Sequence, residues 1–206
     1  VGKLPHNIEK VAQQYFLYLP QNSQIKFKPY KKVKMNKPNV NVFYKKTDQA
    51  NLVLGVEGYS RDDPQKYAAR VLATILGEGM SSRLFIQVRE RRGLAYHVSA
   101  NSGQYKDTGI FTIYAGLKLE KIVEGLEVIK AELQTIVAEK VTDDELKKAK
   151  EMLRGGVALW SESTNFLAEY FGTNFVHFLS LRLIGIDIAY AKELGLPEEF
   201  IKLHWH

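Results

Sequence analysis

The chain has 206 residues and a formal net charge of +6 at pH 7, a length that fits one large domain or one and a half small ones. It contains no cysteine, which excludes disulfide frameworks, cysteine-based zinc sites, iron–sulfur clusters and thiol nucleophiles. No apolar window approaches the roughly 18 residues of a membrane span. The basic runs at 26–34 and 89–92 come with no motif of a nucleic-acid-binding fold. We expect no membrane partner and no nucleic-acid partner.

The first part of the chain reads as the end of one domain followed by the start of another. Residues 1–18 predict the end of a strand and then a helix. Residues 19–38, rich in Pro, Lys and Asn, predict a linker, which leaves 39–206 as a second domain. The chain starts at Val1 without an initiator Met and stops within a predicted helix at 196–206. We therefore expect both ends to be cuts within a longer protein.

Four segments of the second domain have strand patterns. Residues 40–46 alternate as a half-buried strand does, and 50–58 are nearly all apolar, as in a central strand. Residues 94–100 and 109–116 flank a turn that Gly103 and residues 106–109 supply. They predict an antiparallel pair.

Helical patterns separate and follow these strands. Asp63 predicts an N-cap for a helix that begins at Pro64 and has Tyr67 on its apolar face. A short helix follows, which Ser81 or Ser82 can cap. The clearest helix spans 119–140, with an apolar stripe at spacings of three and four.

The next helix opens on a capping box at 142–145, in which Thr142 and Glu145 satisfy each other's backbone donors. The order is therefore β-β-α-α-β-β-α-α. Paired strands followed by paired helices predict an α+β fold, with a largely antiparallel sheet and helices packed on one face.

The histidines do not form a zinc-protease motif. Such a motif places two His about one helical turn apart with a Glu between them. The stretch 6–10 comes nearest, but Lys10 stands where the second His is needed. His204 and His206 flank Trp205 with no further ligand nearby in sequence. The turn 77–79 ends a helix instead of opening one after a strand, so we reject it as a phosphate loop.

Arg89 and Tyr96 are the candidate site residues. They lie seven positions apart, one near the end of a predicted helix and the other on the strand after it. Both side chains donate hydrogen bonds, so both can bind carbonyl oxygens. The alternative is an exposed helix Arg and a half-buried strand Tyr. His97 follows Tyr96 on the strand and is expected to face the opposite side.

The run 58–100, with its core 77-GEGMSSRLFIQVRERRGLAY-96, resembles the pitrilysin/insulinase family of zinc metallopeptidases. It is most similar to the second, zinc-free domain of the processing-peptidase-like branch. The resemblance extends from about Val40 to Trp160. It implies a half-domain of the pitrilysin/insulinase type and makes residues 1–18 the tail end of a preceding, zinc-binding domain.

In that family two α+β halves close around a chamber, and the second half supplies an Arg and a Tyr. The resemblance implies that Arg89 and Tyr96 bind substrate. Tyr96 is the catalytic candidate, because its hydroxyl would donate to the scissile carbonyl or its tetrahedral form, in trans to the zinc half. A substrate peptide would lie extended beside a strand edge of the first half.

The inverted H-x-x-E-H motif of the first half does not occur in this chain. We therefore predict no metal site here, zinc in an N-terminal half or partner subunit, and no peptide cleavage by this chain alone. The predicted function is the non-catalytic, substrate-binding half of a zinc metalloendopeptidase. The alternatives are a binding or scaffold subunit without proteolytic role and, from the charge of +6, a nucleic-acid binder. We expect a cytoplasmic location, or the mitochondrial matrix in a eukaryote.

Overall fold

The structure is a computed structural model that describes residues 3, 5–17, 28–31 and 40–178, with the side chains of 174–178 left out. The chain divides into two compact units. One comprises Val1–Ser23 and Gly155–His206, and the other comprises Gln24–Arg154. The domain boundaries expected at 18 and 38 stay a prediction, and the helix expected at 196–206 lies outside the described residues.

The helices fall largely where the sequence predicts them. They are α1 (Ile8–Phe16), α2 (Lys66–Gly77), a π-helix (Phe85–Glu90), α3 (Ile122–Glu139), α4 (Asp143–Ser161) and α5 (Thr164–Phe178). A 3-10 turn at Leu119–Lys121 precedes α3. None of the described helices is both long enough and apolar enough to span a membrane.

The sheet has three antiparallel strands, β1 (Gln49–Gly58), β2 (Ala95–Gln104) and β3 (Gly109–Lys118). Their order across the sheet is β1-β3-β2. The predicted pairing of β2 with β3 is confirmed, as is the α+β fold with a largely antiparallel sheet.

Two strand predictions are wrong. Residues 40–46 form no strand, and Phe43 within them is 91% exposed. Alternation alone does not make a strand, because a strand also needs a pairing partner and the described residues offer none. β3, and not β1, is the central strand of the three, and Val53 of β1 is exposed although its neighbours suggested full burial.

Three helix details also differ. Asp63 forms a turn, accepting a hydrogen bond from the backbone N–H of Gln65 at 2.8 Å, and α2 begins at Lys66. Tyr67 is exposed and not on the buried face. The buried Ser82 hydroxyl donates to the Gly79 carbonyl and does not cap the π-helix.

The core of the Gln24–Arg154 unit lies on one face of the sheet. It is an apolar cluster drawn from α2, the π-helix, β2, β3 and α3, comprising Ala73, Leu76, Leu84, Val88, Leu94, Ala95, Val98, Ala100, Ile113, Ala115, Leu117 and Ile129. Alternate residues of each strand point into it. The other face of the sheet, which we call the open face, carries the remaining residues.

Gly77 brings α2 into close contact with β2. A Cβ at this position would lie 2.1 Å from the backbone nitrogen of Ala100, a distance that no real Cβ adopts. The backbones of α2 and β2 are therefore in direct contact at Gly77, and this contact fixes the distance between the helix and the strand.

A clamp of charged groups fixes the start of the π-helix. Arg83 donates two hydrogen bonds to the Glu145 carboxylate of α4 from one edge of its guanidinium, at 2.6 Å from Nε and 2.8 Å from Nη2. It also contacts Glu132 of α3 at 3.3 Å and the carbonyl oxygen of Lys140 at 3.2 Å. The capping box is confirmed, because Thr142 and Glu145 bind each other's backbone N–H groups. Glu145 thus serves both the cap and the clamp.

Replacing Gly77 by Ala should destabilise the protein by about 1–3 kcal/mol, the usual cost of overpacking, because Ala100 cannot move without breaking the β2–β3 ladder. Gly155 is the matched control. A Cβ there meets nothing within 4 Å, so G155A should be neutral or stabilising by up to about 1 kcal/mol. Urea unfolding measures both variants, and G77A with wild-type stability would contradict the close contact.

Glu145 predicts a pH-dependent contribution to stability. The bond from Arg83 is the main cause that lowers the pKa of this carboxyl from 4.5 to about 2. A carboxyl group whose pKa is lower in the folded than in the unfolded protein stabilises the folded state at pH values above its unfolded pKa. This contribution is lost as the pH falls through the folded-state pKa. E145Q should therefore be less stable than wild type by about 1–3 kcal/mol at pH 7, allowing for partial exposure.

The difference should shrink below pH 4.5 and approach zero near pH 2. Denaturant unfolding at pH 7, 4 and 3 measures this trend. A difference that stays constant over that range would assign the effect of E145Q to packing and not to charge.

Candidate functional site

The candidate site is built on the connection from the π-helix to β2. Gly93 adopts a left-handed φ of +58°, which glycine reaches without a steric penalty. Its N–H donates to the Arg89 carbonyl at 3.0 Å, and the Leu94 N–H donates to the Val88 carbonyl at 2.9 Å. The chain thus reverses within a few residues, and Leu94 enters the core.

Arg89 points out of this connection with its charge unpaired. The side chain is exposed, and its guanidinium lies over the ring of Phe85, 4.9 Å from the centroid. No carboxylate among the described residues pairs with it. By contrast, Arg83 is engaged by the clamp, and Arg92 donates to Gln87 at 2.8 Å. Arg89 is therefore oriented by an aromatic ring yet remains available to an oxygen ligand.

Tyr96 lies on a β-bulge. Ala95 pairs with Leu117 and His97 with Gly116, so Tyr96 is an extra residue with no partner on β3. Its side chain is 61% exposed. Bulges re-aim side chains and occur often beside active sites. The hydroxyl is thereby presented away from the core and free to donate.

The expectation that His97 faces away from Tyr96 is wrong. Both residues are exposed, and the buried positions on either side are Ala95 and Val98. The strict alternation of a strand fails here because the bulge inserts one residue into β2. Two adjacent polar side chains are thus exposed together.

The structure brings Arg89 and Tyr96 to the two ends of one short connection, but no hydrogen bond joins their side chains. This arrangement offers two separate donors, a cation and a neutral hydroxyl, to a ligand that lies across the junction. Phe85 and the bulge are the features that sequence reasoning missed. Phe85 and Arg89 are four positions apart on a predicted helix, and this spacing could have indicated their contact. The bulge leaves no signature in the sequence.

The part of the chain that the structure describes holds no group of three or more His, Asp or Glu residues able to bind a metal. His97 has an aromatic neighbour, the ring of Tyr114, at 5.7 Å between centroids. His204 and His206 lie outside the described residues. The described donors therefore do not fit a zinc ion.

Residues 1–153 match the family model described as the peptidase M16 inactive domain. This match covers more than half of the chain, so the chain belongs to that family. The resemblance drawn from residues 58–100 to a zinc-free metallopeptidase domain is confirmed.

Curated relatives carry the name of uncharacterized zinc proteases. One from Streptomyces coelicolor is 40% identical over 133 residues, which is 65% of this chain and 29% of that protein. One from Rickettsia felis is 35% identical over 179 residues, which is 86% of this chain and 42% of that protein. The chain thus spans less than half the length of these relatives.

Solved structures show the same fold. The peptidase M16 inactive domain from Pseudomonas fluorescens is 27% identical, with a TM-score of 0.61, over 78% of this chain and 38% of that one. A protease from Helicobacter pylori is 25% identical, with a TM-score of 0.60, over 64% of this chain and 32% of that one.

The contact between Arg89 and Phe85 can be measured without any assay of function. A double-mutant cycle of F85L and R89M should give a coupling of about 0.5–1 kcal/mol in unfolding free energy, as exposed cation–π pairs do. Arg91 is exposed and has no side-chain partner among the described residues, so F85L with R91M is the control and should show no coupling. Equal coupling energies in both cycles would show that Phe85 does not interact specifically with Arg89.

Proposed function

We propose that this chain is the substrate-binding half of a zinc-dependent endopeptidase whose zinc is held by a second half. Membership in an inactive-domain family supports the assignment of this half. Relatives named zinc proteases are more than twice as long as the matched region, which leaves room for a zinc-binding half elsewhere in the protein. The observation that carries the proposal is the pair of unpaired donors, Arg89 and Tyr96, on one rigid connection.

Arg89 is assigned to the substrate backbone. A guanidinium forms charge-assisted hydrogen bonds to carbonyl or carboxylate oxygens in fixed geometry. The ring of Phe85 limits its motion, so less side-chain entropy is lost on binding. Arg89 would thereby set the position of the peptide relative to Tyr96.

Tyr96 is assigned to the scissile carbonyl. Its hydroxyl would donate to the oxygen as negative charge develops there, which stabilises the transition state more than the bound substrate. The bulge holds the residue out of the ladder. Activation of the attacking water is expected from the zinc site of the other half, since the described residues here supply no ligand group for it.

Replacing Tyr96 by Phe in the complete protein should lower kcat by about 10²–10³-fold, as loss of an oxyanion donor does, with a small change in KM. Cleavage of an internally quenched peptide library in the presence of zinc measures this. Tyr105, 58% exposed at the far end of the β2–β3 pair, is the matched control, and Y105F should retain full activity. Unchanged turnover in Y96F would remove Tyr96 from the mechanism.

Replacing Arg89 by Ala should mainly raise KM, lowering kcat/KM by about 10–100-fold for the loss of a charged hydrogen bond. Arg91 again provides the control, because R91A removes a neighbouring exposed cation of the same type. An equal loss in both variants would point to general charge attraction. No cleavage by the zinc-loaded wild-type protein would favour the scaffold function instead.

A further inference from the structure

The bulge at Tyr96 places the imidazole of His97 beside the candidate site. His97 pairs with Gly116 of β3, and Asn51 pairs with the same Gly116 from the other side. All three lie in one row across the open face. Gly116 itself contributes no side chain between His97 and Asn51. The side-chain amide of Gln49 covers Gly116 instead, since a Cβ on Gly116 would collide with Gln49 Nε2.

This row is held in place by its neighbours. The ring of His97 packs against Tyr114 at a tilt of 46°, and the Tyr114 hydroxyl donates to Oδ1 of Asn51. His97 is therefore supported on one side but exposed on the other. An imidazole held in this way is preorganised for an external ligand.

The charged residues of the open face are distributed unevenly, with a cation at one end and a carboxylate at the other. Lys118 lies two residues along β3 from Gly116, is exposed, and sits at the end where β2 begins. Within the three described strands, the only carboxylate on this face is Glu57, which pairs with Ile110 at the opposite end. The end near Tyr96 thus carries a cation and an imidazole without an acid among the strand residues.

We propose that His97, together with Lys118, forms a specificity subsite that favours an acidic side chain in the substrate, close to the bond bound by Tyr96. The inference rests on the proposed function for its peptide ligand. His97 can donate a hydrogen bond to a carboxylate and Lys118 can pair with it. Diagonal neighbours on a sheet are within reach of one such side chain.

The test measures binding by the complete protein, with its metal removed by a chelator so that no peptide is cut. The probes are fluorescein-labelled nonapeptides in which a single Glu is moved along an Ala/Ser background, each with a Gln counterpart. Wild type should bind the Glu peptide more tightly at one or two positions. A ratio of about two- to fivefold is expected for an exposed ion pair.

H97Q and K118Q should each bring that ratio towards one. Asn101 is also exposed on β2 but lies outside the row, so N101A should keep the wild-type ratio. Thermal unfolding of each variant establishes that it is folded. Equal binding of Glu and Gln peptides by wild type, or an unchanged ratio in H97Q, would overturn the subsite.

The two proposals fail separately in these experiments. Cleavage that depends on Tyr96 without any preference for Glu would refute the subsite and leave the endopeptidase function intact. A preference for Glu that H97Q abolishes, in a protein that cuts no peptide with zinc present, would support the subsite and refute the endopeptidase function. Absence of peptide binding at every position would overturn both.

Discussion

One unpaired residue in β2 determines what the open face presents. Ala95 must enter the core and His97 must pair with Gly116, so the chain has one residue too many between them, and that residue is Tyr96. Ala95 and Val98 are both buried although they lie three positions apart, and a strand that alternates strictly could bury only one of them. The exposure of Tyr96 is thus a consequence of how the rest of β2 is buried.

The position of the bulge is in turn fixed by the scaffold behind it. Arg83 ties the start of the π-helix to α3 and α4, and Gly77 lets α2 rest directly on β2. Val88 and Leu94 then bury the two ends of the connection that carries Arg89. A rigid support of this sort is what a binding site needs if its donors are to meet a ligand without rearrangement.

The sequence predicted the parts of this structure that depend on local patterns. The apolar stripe of α3 and the capping box at Thr142 have signatures that span a few residues. The turn between β2 and β3 was predicted too, but Gly103, which was expected in it, lies within β2 and pairs with Ile110. The strand predicted at 40–46 failed because pairing is a property of two segments and not of one. The orientation of His97 failed for a related reason, since a bulge depends on the register between strands. Arg89 and Tyr96 came from the family motif, and nothing in their local pattern distinguished them from ordinary surface residues.

The most direct test of the account is a crystal structure of the complete protein with a phosphinic peptide, whose phosphinate oxygen mimics the developing oxyanion. We predict that the Tyr96 hydroxyl lies within about 2.7–3.1 Å of that oxygen and that the Arg89 guanidinium binds a backbone carbonyl of the same peptide. A bound peptide that leaves both side chains in solvent would contradict the assignment of this half to substrate binding.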